Sequence, residues 1–499
     1  MAVPLFRNGI LVPNLQSLAA TWGTTTAILP TMPRTVPPPT DAPLMLSVSG
    51  MRGIVGKTLT PVVAAEYAAA CGSFFREQSG RDNPIVCLGR DSRPSGEMLS
   101  AAAQAGLAAV GCRVIDLGIV MTPTAGVMID KHRAAGGLVI TASHNPSEWN
   151  GIKCLDSDGV APPPDQIEHM LKRFHGKQFE YLPAEAIPPS SRDDRAMQEH
   201  VERVLRSIDP QPIRKKKFKV VLDSVNGAGG AAARMLLDAL GCELVHLHAE
   251  PTGLFAHTPE PTEENLTELA ERTAVEHAAC GFAQDPDADR LAIVDENGRY
   301  IGEEYTLVLS AWQTLEERGP CAMAANLSTS RMIDDLAQRH TGASVHRTAV
   351  GEANVAQAMK QHNAIIGGEG NGGVIRPEIT WVRDSLSAMA LVLGLLASKN
   401  RPVSSLIDEL PRYAMIKRKL DLAAVGGRDA VGPILARVVD AFSEQRVDTR
   451  DGVRIDWPDR WAHLRPSNTE PIVRLIVEAP NEAAARELAE QVATAAGIG

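Results

Sequence analysis

A unit of strand, polar loop, helix, glycine and strand recurs along this chain and limits its fold more than any other feature. It covers residues 84–118 and 217–248, and a fainter copy covers 321–351. Short apolar runs that alternate with helices of about ten residues or more are typical of parallel sheets built from βαβ units. The repetition therefore predicts three related α/β domains with parallel-rich mixed sheets.

The residues after the third copy differ in character and predict a C-terminal α+β domain. They contain a strand-like run at 473–479 and a terminal helix at 481–495. A chain of 499 residues fits three or four domains, since single cores stop growing near about 250–300 residues. An active site then fits a central cleft between the domains. The predicted segments are a disordered, proline-rich extension at 1–43, α/β domains at 44–192, 193–302 and 303–411, and the C-terminal domain at 412–499.

Charge and composition argue against several classes of function. The formal net charge is −10, whereas partners such as nucleic acid or an anionic membrane need a basic surface. Seven scattered cysteines without a CxxC pair indicate neither a disulfide framework nor a zinc site, and they favour a reducing cytoplasm. The most apolar helix-like stretch, 386–397, is shorter than the roughly 20 residues of a membrane span. It is predicted as a buried helix capped by Asp384 or Ser385.

The stretch Thr141–Pro146 places a serine and a histidine in a polar turn directly after the apolar run 137–140. Strand ends that open into polar loops are where open α/β sheets carry their chemistry. Ser143 is therefore a candidate nucleophile on a loop, with little of its side chain buried, and Lys153 can fold back toward the same turn. Serine, asparagine and proline are also ordinary turn residues, so the motif alone leaves a plain turn open.

Residues 285–290 read Asp-Pro-Asp-Ala-Asp-Arg, with a carboxylate at every second position. In an extended loop, Asp285, Asp287 and Asp289 can turn to the same side and bind a hard divalent cation. An EF-hand is excluded because Arg290 stands where the sharp turn of that loop requires glycine. The alternative is a solvated acidic turn, in which three crowded acids would repel one another.

Two further stretches suit a phosphorylated sugar. Residues 367–373 form a glycine-rich loop whose Glu369 and Asn371 can bond sugar hydroxyls, although glycine clusters also occur in plain flexible turns. Residues 465–471 pack a guanidinium, two hydroxyls and an amide closely together, and Arg474 follows. Such donors suit a phosphate dianion, with a capping turn as the alternative.

The motifs TASHNP, which contains Ser143, DPDADR, GEGNGG and RPSNTEP occur in the order and spacing of the α-D-phosphohexomutase family. Over about residues 44–499 the chain resembles the archaeal-type phosphoglucosamine mutases of that family. Two departures stand out: Asn371 replaces a serine of many members, and Pro286 and Ala288 replace the usual glycines of the metal loop. The first departure weakens any inference of the sugar preference from other members of the family. The second is tolerable because only the aspartates of the loop would bind the metal.

The resemblance implies a cytoplasmic isomerase that carries a phosphoryl group on Ser143 and uses a hexose bisphosphate as intermediate or activator. It implies one Mg²⁺ per subunit, bound by the phosphorylated Ser143 together with Asp285, Asp287 and Asp289. Lys153, Arg52 and Glu352 resemble the family's acid/base and sugar-contact positions. Plain exposure to solvent is the alternative for Lys153 and Arg52.

The resemblance also assigns substrate contacts and a substrate. Interconversion of glucosamine 6-phosphate and glucosamine 1-phosphate is favoured, with phosphoglucomutase or phosphomannomutase activity as the alternative, because a carboxylate such as Glu352 would favour a protonated 2-amino group. The partner is a small hexose phosphate, and the protein is expected to be a monomer or homodimer. Rival hypotheses are a non-catalytic phosphosugar-binding protein and a metal-dependent phosphatase. The implied substrate-binding residues are His144, Arg290, Glu369, Asn371, Arg465, Ser467, Asn468, Thr469 and Arg474.

Overall fold

The computed structural model describes most of the chain, namely residues 43–47, 50–422, 426–467 and 472–498. All but the last residue of the predicted extension at 1–43 lies outside the described residues, and so do Asn468 and Thr469. No helix in the described part is both long enough and apolar enough to cross a membrane.

The first α/β domain is built on a seven-stranded sheet. Its strands are β1 (Met45–Ser47), β2 (Gly50–Ile54), β3 (Ile85–Arg90), β4 (Arg113–Ile119), β5 (Gly136–Ile140), β6 (Trp149–Leu155) and β7 (Ser191–Arg192). Its helices are α1 (Pro61–Ser79), α2 (Gly96–Ala109), α3 (Thr122–His132) and α4 (Pro164–Gly176). The strand order is β1-β2-β6-β5-β3-β4-β7. β3 lies parallel to β4 and β5, whereas β6 returns antiparallel to β5.

The second domain repeats the central part of this sheet with four strands. They are β8 (Lys219–Asp223), β9 (Glu243–Leu247), β10 (Cys280–Gln284) and β11 (Leu291–Val294). The helices are α5 (Ala196–Arg206), α6 (Gln211–Lys216), α7 (Gly230–Ala239) and α8 (Thr267–Val275). β8 lies parallel to β9 and β10, and β11 returns antiparallel to β10.

The third domain has the same four-stranded arrangement. Its strands are β12 (Ala322–Asn326), β13 (Ser344–Thr348), β14 (Ile366–Glu369) and β15 (Gly373–Ile375). Its helices are α9 (Glu304–Arg318), α10 (Met332–Gln338), α11 (Glu352–His362), α12 (Ser385–Lys399) and α13 (Val403–Ile407). β12 lies parallel to β13 and β14, and β15 returns antiparallel to β14.

The C-terminal domain is a five-stranded antiparallel sheet with two helices. The strands are β16 (Ala414–Asp421), β17 (Arg446–Asp448), β18 (Val453–Asp456), β19 (Trp461–Pro466) and β20 (Ile472–Ala479), and the helices are α14 (Arg428–Ala441) and α15 (Glu482–Ala496). The strand order is β16-β20-β19-β18-β17. The predicted fold class, three related α/β domains followed by an α+β domain, is confirmed. The domain boundaries themselves stay a prediction.

The three α/β sheets place the three predicted motifs in equivalent turns. In each sheet the third strand of the βαβ unit (β5, β10 and β14) is followed by an antiparallel strand, and the connection carries chemistry-bearing residues. The serine loop connects β5 to β6, the triple-aspartate loop connects β10 to β11, and the glycine-rich loop connects β14 to β15. One topological position has therefore been used three times for polar chemistry.

Helix α12 joins the second and third domains through a shared core. Its residues are almost all buried, because the run is apolar on every side, and Asp384 caps its first turn by accepting from Leu386 N and Ser387 N at 3.0 Å each. The core that contains it also contains residues of β8, α7 and α9. This confirms the predicted buried helix and its cap, and it ties two of the three motif-bearing sheets together.

Candidate active site

Ser143 lies in a tight turn after β5 and contacts the second domain. Its φ of 50° is in the left-handed region, and its backbone N–H donates to Thr141 Oγ1 at 2.9 Å. The Ser143 hydroxyl donates to Asp285 Oδ2 at 2.8 Å. Only 2% of the residue is exposed, so the expectation that little of its side chain is buried is wrong. The turn packs against the facing aspartate loop, which a single loop sequence does not reveal.

Arg93 holds the serine loop in place, and sequence analysis missed it. The side chain is fully buried, and its Nε pairs with Asp91 Oδ2 at 3.1 Å. The guanidinium donates at 2.6–3.2 Å to the backbone carbonyl groups of Ser143, Asn145, Pro146 and Trp149. A signal was present, because the polar loop Arg90–Arg93 follows β3, and β3 neighbours β5 in the parallel sheet.

Asp285, Asp287 and Asp289 converge, but through a turn and not in an extended loop. One carboxylate oxygen from each can be chosen so that all three lie within 4.8 Å of one another. Ala288 between them has a φ of 52°, a left-handed conformation that costs a non-glycine residue about 1–2 kcal/mol. The predicted extended loop is therefore wrong, although the predicted convergence is confirmed.

The free oxygens of this cluster fit a divalent cation. Asp287 Oδ1 and Asp289 Oδ1 are buried and accept no hydrogen bond from any described residue. Burial, followed by the charges of Asp289 and Asp287, raises the pKa of Asp285 well above its ordinary value. Oxygen ligands that crowd together in this way suit a hard cation such as Mg²⁺.

Lys153 supplies part of the positive charge. It lies on β6, and its Nζ donates to Asp287 Oδ2 at 2.6 Å and to Asp289 Oδ2 at 3.0 Å. Burial alone would lower the pKa of Lys153, but these two carboxylates raise it above its usual value. Lys153 is therefore a buried charged partner of the aspartates and not a solvated surface residue. Thr122 Oγ1 donates to Asp287 Oδ2 as well, at 2.5 Å.

Arg52, His144 and Arg290 lie around the same serine loop. Arg52 Nη1 donates to Asn145 Oδ1 at 2.9 Å. His144 Nδ1 lies 3.4 Å from the Ser143 Oγ, and burial, with the charges of Arg290 and Arg52, lowers the pKa of His144 well below its usual value. Its imidazole is therefore neutral near pH 7. Arg290 donates its backbone N–H to Asp285 Oδ1 at 3.2 Å.

Arg383, a second residue that sequence analysis missed, links the third domain to the aspartates. Its Nη2 donates to Asp289 Oδ2 at 2.7 Å, its Nη1 to Glu369 Oε2 at 2.8 Å, and its Nε to Glu352 Oε2 at 3.0 Å. A Cβ on Gly373 would lie 2.1 Å from the Arg383 side chain. Gly373 of the glycine-rich loop thus leaves room for the Arg383 side chain, a requirement that no local pattern shows.

Glu369 and Asn371 lie where the sequence predicts, at the turn between β14 and β15. Both Glu369 oxygens are occupied in this structure, because Oε1 also accepts from Asn326 Nδ2 at 2.8 Å and from Gly351 N at 3.0 Å. Asn371 Oδ1 is buried and accepts no hydrogen bond from a described residue. A hydroxyl donor on a ligand would satisfy that amide oxygen.

Two of the predicted phosphate contacts, Arg465 and Arg474, lie on neighbouring strands of the C-terminal domain. Arg465 on β19 stands directly opposite Arg474 on β20, so both guanidinium groups arise from the same face of the sheet. Arg465 Nε pairs with Asp451 Oδ2 at 2.9 Å, and the same carboxylate oxygen accepts from Val350 N at 2.9 Å. Ser467 N donates to the Ile472 carbonyl at 2.8 Å. Asp451 thereby couples this sheet to the loop that precedes Glu352.

Glu304 packs against the glycine-rich loop, and its titration tests how deeply its carboxylate is buried there. Its Oε2 accepts from Ser330 N at 2.9 Å, and a Cβ on Gly370 would lie 2.0 Å from it. Burial raises the pKa of Glu304 from 4.5 to about 8. Between pH 4.5 and about pH 8, Glu304 is deprotonated in the unfolded chain and stays protonated in the folded chain. The free energy of unfolding therefore falls by about 1.4 kcal/mol per pH unit from this group as pH rises.

We expect Glu304→Gln to remove this fall in the free energy of unfolding with rising pH. Relative to the wild type, the variant should gain stability as pH rises from about 5 to about 8, because glutamine keeps the acceptor for Ser330 without a titrating proton. Urea unfolding of both proteins at several pH values measures the difference. A constant difference across that range would mean that Glu304 is already ionised in the folded protein.

Four family models match successive parts of the chain. They are phosphoglucomutase/phosphomannomutase α/β/α domains I, II and III, over residues 45–181, 198–298 and 302–413, and the C-terminal domain of the same family, over residues 419–495. The four matches together cover most of the chain and follow the order of its four sheets.

Relatives match over nearly their full length. A phosphoglucomutase/phosphomannomutase of Thermococcus kodakarensis is 39% identical over 444 residues, which is 88% of this chain and 96% of the relative. A probable phosphoglucosamine mutase of Methanopyrus kandleri is 36% identical, over 89% of this chain and 95% of the relative. The crystal structure of a phosphoglucomutase/phosphomannomutase family protein from Burkholderia thailandensis has a TM-score of 0.79 at 29% identity, covering 91% of this chain and 98% of that chain.

Proposed function

Because this chain belongs to the phosphoglucomutase/phosphomannomutase family and is a phosphohexomutase, we propose that it interconverts hexose 6- and 1-phosphates through a phosphorylated Ser143. The observation that carries this proposal is the hydrogen bond from the Ser143 hydroxyl to Asp285 at 2.8 Å. It supports the proposal because the Ser143 hydroxyl lies against the carboxylate cluster, close to the buried charges of that cluster. A sugar-sensing protein would need neither arrangement.

In the proposed reaction, the bond between Ser143 Oγ and phosphorus breaks while a bond from phosphorus to a sugar hydroxyl oxygen forms. The product of this step is a hexose bisphosphate, whose other phosphate then returns to Ser143. Phosphoryl transfer leaves the protein mainly positioning and neutralisation of charge. Arg93 fixes the serine loop through its carbonyl contacts, and His144 and Arg290 lie beside the transferred group.

The proton of the sugar hydroxyl needs an acceptor, and Ser143 Oγ needs a donor when it leaves. Asp287 and Asp289 raise the pKa of Lys153 and hold it protonated, so it has no lone pair to accept the sugar proton and can only donate to Ser143 Oγ. Burial raises the pKa of Glu352, which makes this carboxylate the better acceptor. Arg52 is assigned to substrate contact. We propose Asp285, Asp287 and Asp289 as ligands of Mg²⁺, which would supply positive charge to the oxygens of the transferred group.

Glucosamine phosphate is the proposed substrate, and glucose or mannose phosphate is the second candidate. Glu352 and Glu369 both pair with Arg383 in this structure, so a cationic 2-amino group would share these two carboxylates with the guanidinium. A charge-assisted hydrogen bond of this kind is worth roughly 1.5–3 kcal/mol, or about one to two powers of ten in specificity. The second candidate is favoured by the Thermococcus kodakarensis relative, which is named a phosphoglucomutase/phosphomannomutase.

We expect kcat/KM for glucosamine 6-phosphate to exceed those for glucose 6-phosphate and mannose 6-phosphate by about tenfold or more. All three are measured with the same enzyme preparation, the same Mg²⁺ concentration and the same bisphosphate activator. Release of inorganic phosphate is measured in parallel, because a phosphatase would release it and a mutase would not. A higher kcat/KM for glucose or mannose 6-phosphate would overturn the amino-sugar preference while leaving the phosphoserine mechanism intact.

A further inference from the structure

Three side chains outside the active site converge at the end of the second sheet. Asp223 is the last residue of β8, His248 directly follows β9, and His257 lies in the loop before α8. His248 Nδ1 lies 3.0 Å from Asp223 Oδ1, and His257 Nε2 lies 2.9 Å from Asp223 Oδ2. One ligand atom from each residue lies within 4.8 Å of the others. The carboxylate is buried, whereas each imidazole is 20% exposed, so the cluster is open to solvent on one side.

The hydrogen bonds of His257 require a positive charge in this cluster. Its Nδ1 lies 2.8 Å from the carbonyl oxygen of Thr258. A carbonyl only accepts, so Nδ1 carries a proton and donates it. In a neutral ring Nε2 then presents a lone pair to the Asp223 carboxylate, which also only accepts when ionised. Two such atoms do not lie 2.9 Å apart unless a proton or a metal ion lies between them.

His248 faces the same carboxylate. Its Nδ1 lies 3.0 Å from Asp223 Oδ1, which also accepts from Val225 N at 2.8 Å, and its Nε2 lies 3.5 Å from Glu268 Oε2, too far for a good hydrogen bond. A neutral ring with its proton on Nδ1 meets this contact, so protons alone require a positive charge only at His257. One divalent ion bound by both rings and by Asp223 would satisfy the lone pairs of the two imidazoles and the carboxylate together.

The outer contact of His257 matches that of a metal ligand. A ligating histidine almost always donates its other N–H to a backbone carbonyl or a carboxylate, which fixes the ring and its tautomer. His257 has the Thr258 carbonyl in that place, at 2.8 Å, and Glu268 lies 3.5 Å from the corresponding nitrogen of His248. Nitrogen and oxygen ligands roughly 3 Å apart also suit a common ion with bonds of about 2.0–2.2 Å.

We propose that Asp223, His248 and His257 bind a divalent transition-metal ion of the Zn²⁺ type. Two imidazoles and one carboxylate select such an ion over Mg²⁺, whereas the all-oxygen aspartate cluster of the active site selects Mg²⁺. The protein thus has two cation sites of different chemistry. The histidine site leaves a side open to water, and its three ligands come from separate segments of the second domain.

The position of the histidine site gives it a structural role. His257 belongs to the segment that follows β9, and this segment braces the serine loop. The Phe255 ring packs on the Arg93 guanidinium at 4.8 Å, and Glu260 Oε1 lies 3.8 Å from His144 Nε2. A Cβ on Gly253 would lie 2.3 Å from the Ser92 carbonyl oxygen. Metal bound at His257 therefore fixes a segment that supports the nucleophile from the neighbouring domain.

The test measures Zn²⁺ retained by full-length protein. The wild type is stripped with a chelator, reloaded with Zn²⁺ at mildly alkaline pH and gel-filtered in buffer containing Mg²⁺. We expect about one Zn²⁺ per chain to remain and to be lost in His257→Gln and in Asp223→Asn. His246→Gln is the matched control, because His246 on β9 bonds Ser224 and lies outside the cluster. It should retain the ion.

Two further readouts separate ligation from loss of folding. Co²⁺ in place of Zn²⁺ should give visible absorption bands in the wild type and in His246→Gln that are absent in His257→Gln. Added Zn²⁺ should raise the Tm of the wild type and leave the Tm of His257→Gln unchanged, while that variant still unfolds cooperatively. If His257→Gln does not fold, His248→Gln takes its place.

Limited proteolysis tests the bracing role. Zn²⁺ should slow cleavage within residues 249–262 several-fold in the wild type and have no effect in His257→Gln. Absence of retained Zn²⁺ in the wild type would overturn the proposal and assign the positive charge at His257 to a proton. Retention of Zn²⁺ in His257→Gln together with its loss in Asp287→Asn would also overturn it, because the ion would then lie at the aspartate cluster.

Discussion

Ser143→Ala is expected to abolish mutase activity, with kcat lowered by at least about a thousandfold. Alanine has no oxygen that can carry the phosphoryl group, and no other described hydroxyl is seen to bond Asp285. The fold should persist, because the change removes only the contacts of the Ser143 hydroxyl with Asp285 and His144, each worth about 1 kcal/mol. The backbone bond from residue 143 to Thr141 and the contacts of Arg93 remain.

Intact-mass measurement provides an independent readout of this variant. Wild-type protein should contain a population heavier by one phosphate, which should be absent from Ser143→Ala. Ser147→Ala is the matched control, since Ser147 lies in the same loop and is exposed. It should retain both the heavier population and the activity. Substantial turnover by Ser143→Ala would contradict the phosphoserine mechanism.

Asp287→Asn is expected to lower kcat/KM by about a hundredfold or more, with only partial recovery at high Mg²⁺. The substitution keeps the shape of the side chain but removes a charge from the cation cluster and from the Lys153 pair. Two carboxylates neutralise a cation less completely than three, so Mg²⁺ affinity should fall together with activity. Calorimetric titration with Mg²⁺ measures the affinity, and activity is assayed over a range of Mg²⁺ concentrations.

Thr122→Val is the matched control for this substitution. It removes the Thr122 hydrogen bond to Asp287 Oδ2 and leaves the carboxylate charge in place. Its effect should therefore be about tenfold smaller than that of Asp287→Asn, because one hydrogen bond is lost and the charge is kept. Full activity in EDTA, for the wild type, would contradict the assignment of a catalytic cation.

Several parts of the site are predictable because they depend on local chemistry. Three aspartates at alternate positions indicate a cation site whether the loop is extended or turned. Apolar runs that lead into polar loops mark strand ends. This pattern predicts Ser143 shortly after the end of β5 and Glu369 at the end of β14. The cap of α12 at Asp384 follows from the same kind of local rule. What these patterns do not contain is the partner of each side chain.

Arg93 and Arg383 show why the remainder of the site was missed. Each lies in a stretch whose local pattern indicates an ordinary loop, and each has its role through contacts with groups distant in the chain. Arg93 donates to carbonyl groups about 50 residues away, and Arg383 joins Glu352, Glu369 and Asp289. The expectation that little of the Ser143 side chain is buried was wrong for the same reason, since the aspartate loop that covers Ser143 is 142 residues away.

The sequence by itself determined the three βαβ repeats, the C-terminal α+β domain and the residue types of the chemistry, because periodicity and loop composition are local properties. Only the tertiary structure decided that the three motif loops occupy the same turn of three like sheets, that Lys153 and Arg383 neutralise the aspartates, and that two histidines share Asp223. These features depend on how separate strands are brought together by burial of their apolar faces. That packing is a property of the whole chain and not of any one stretch.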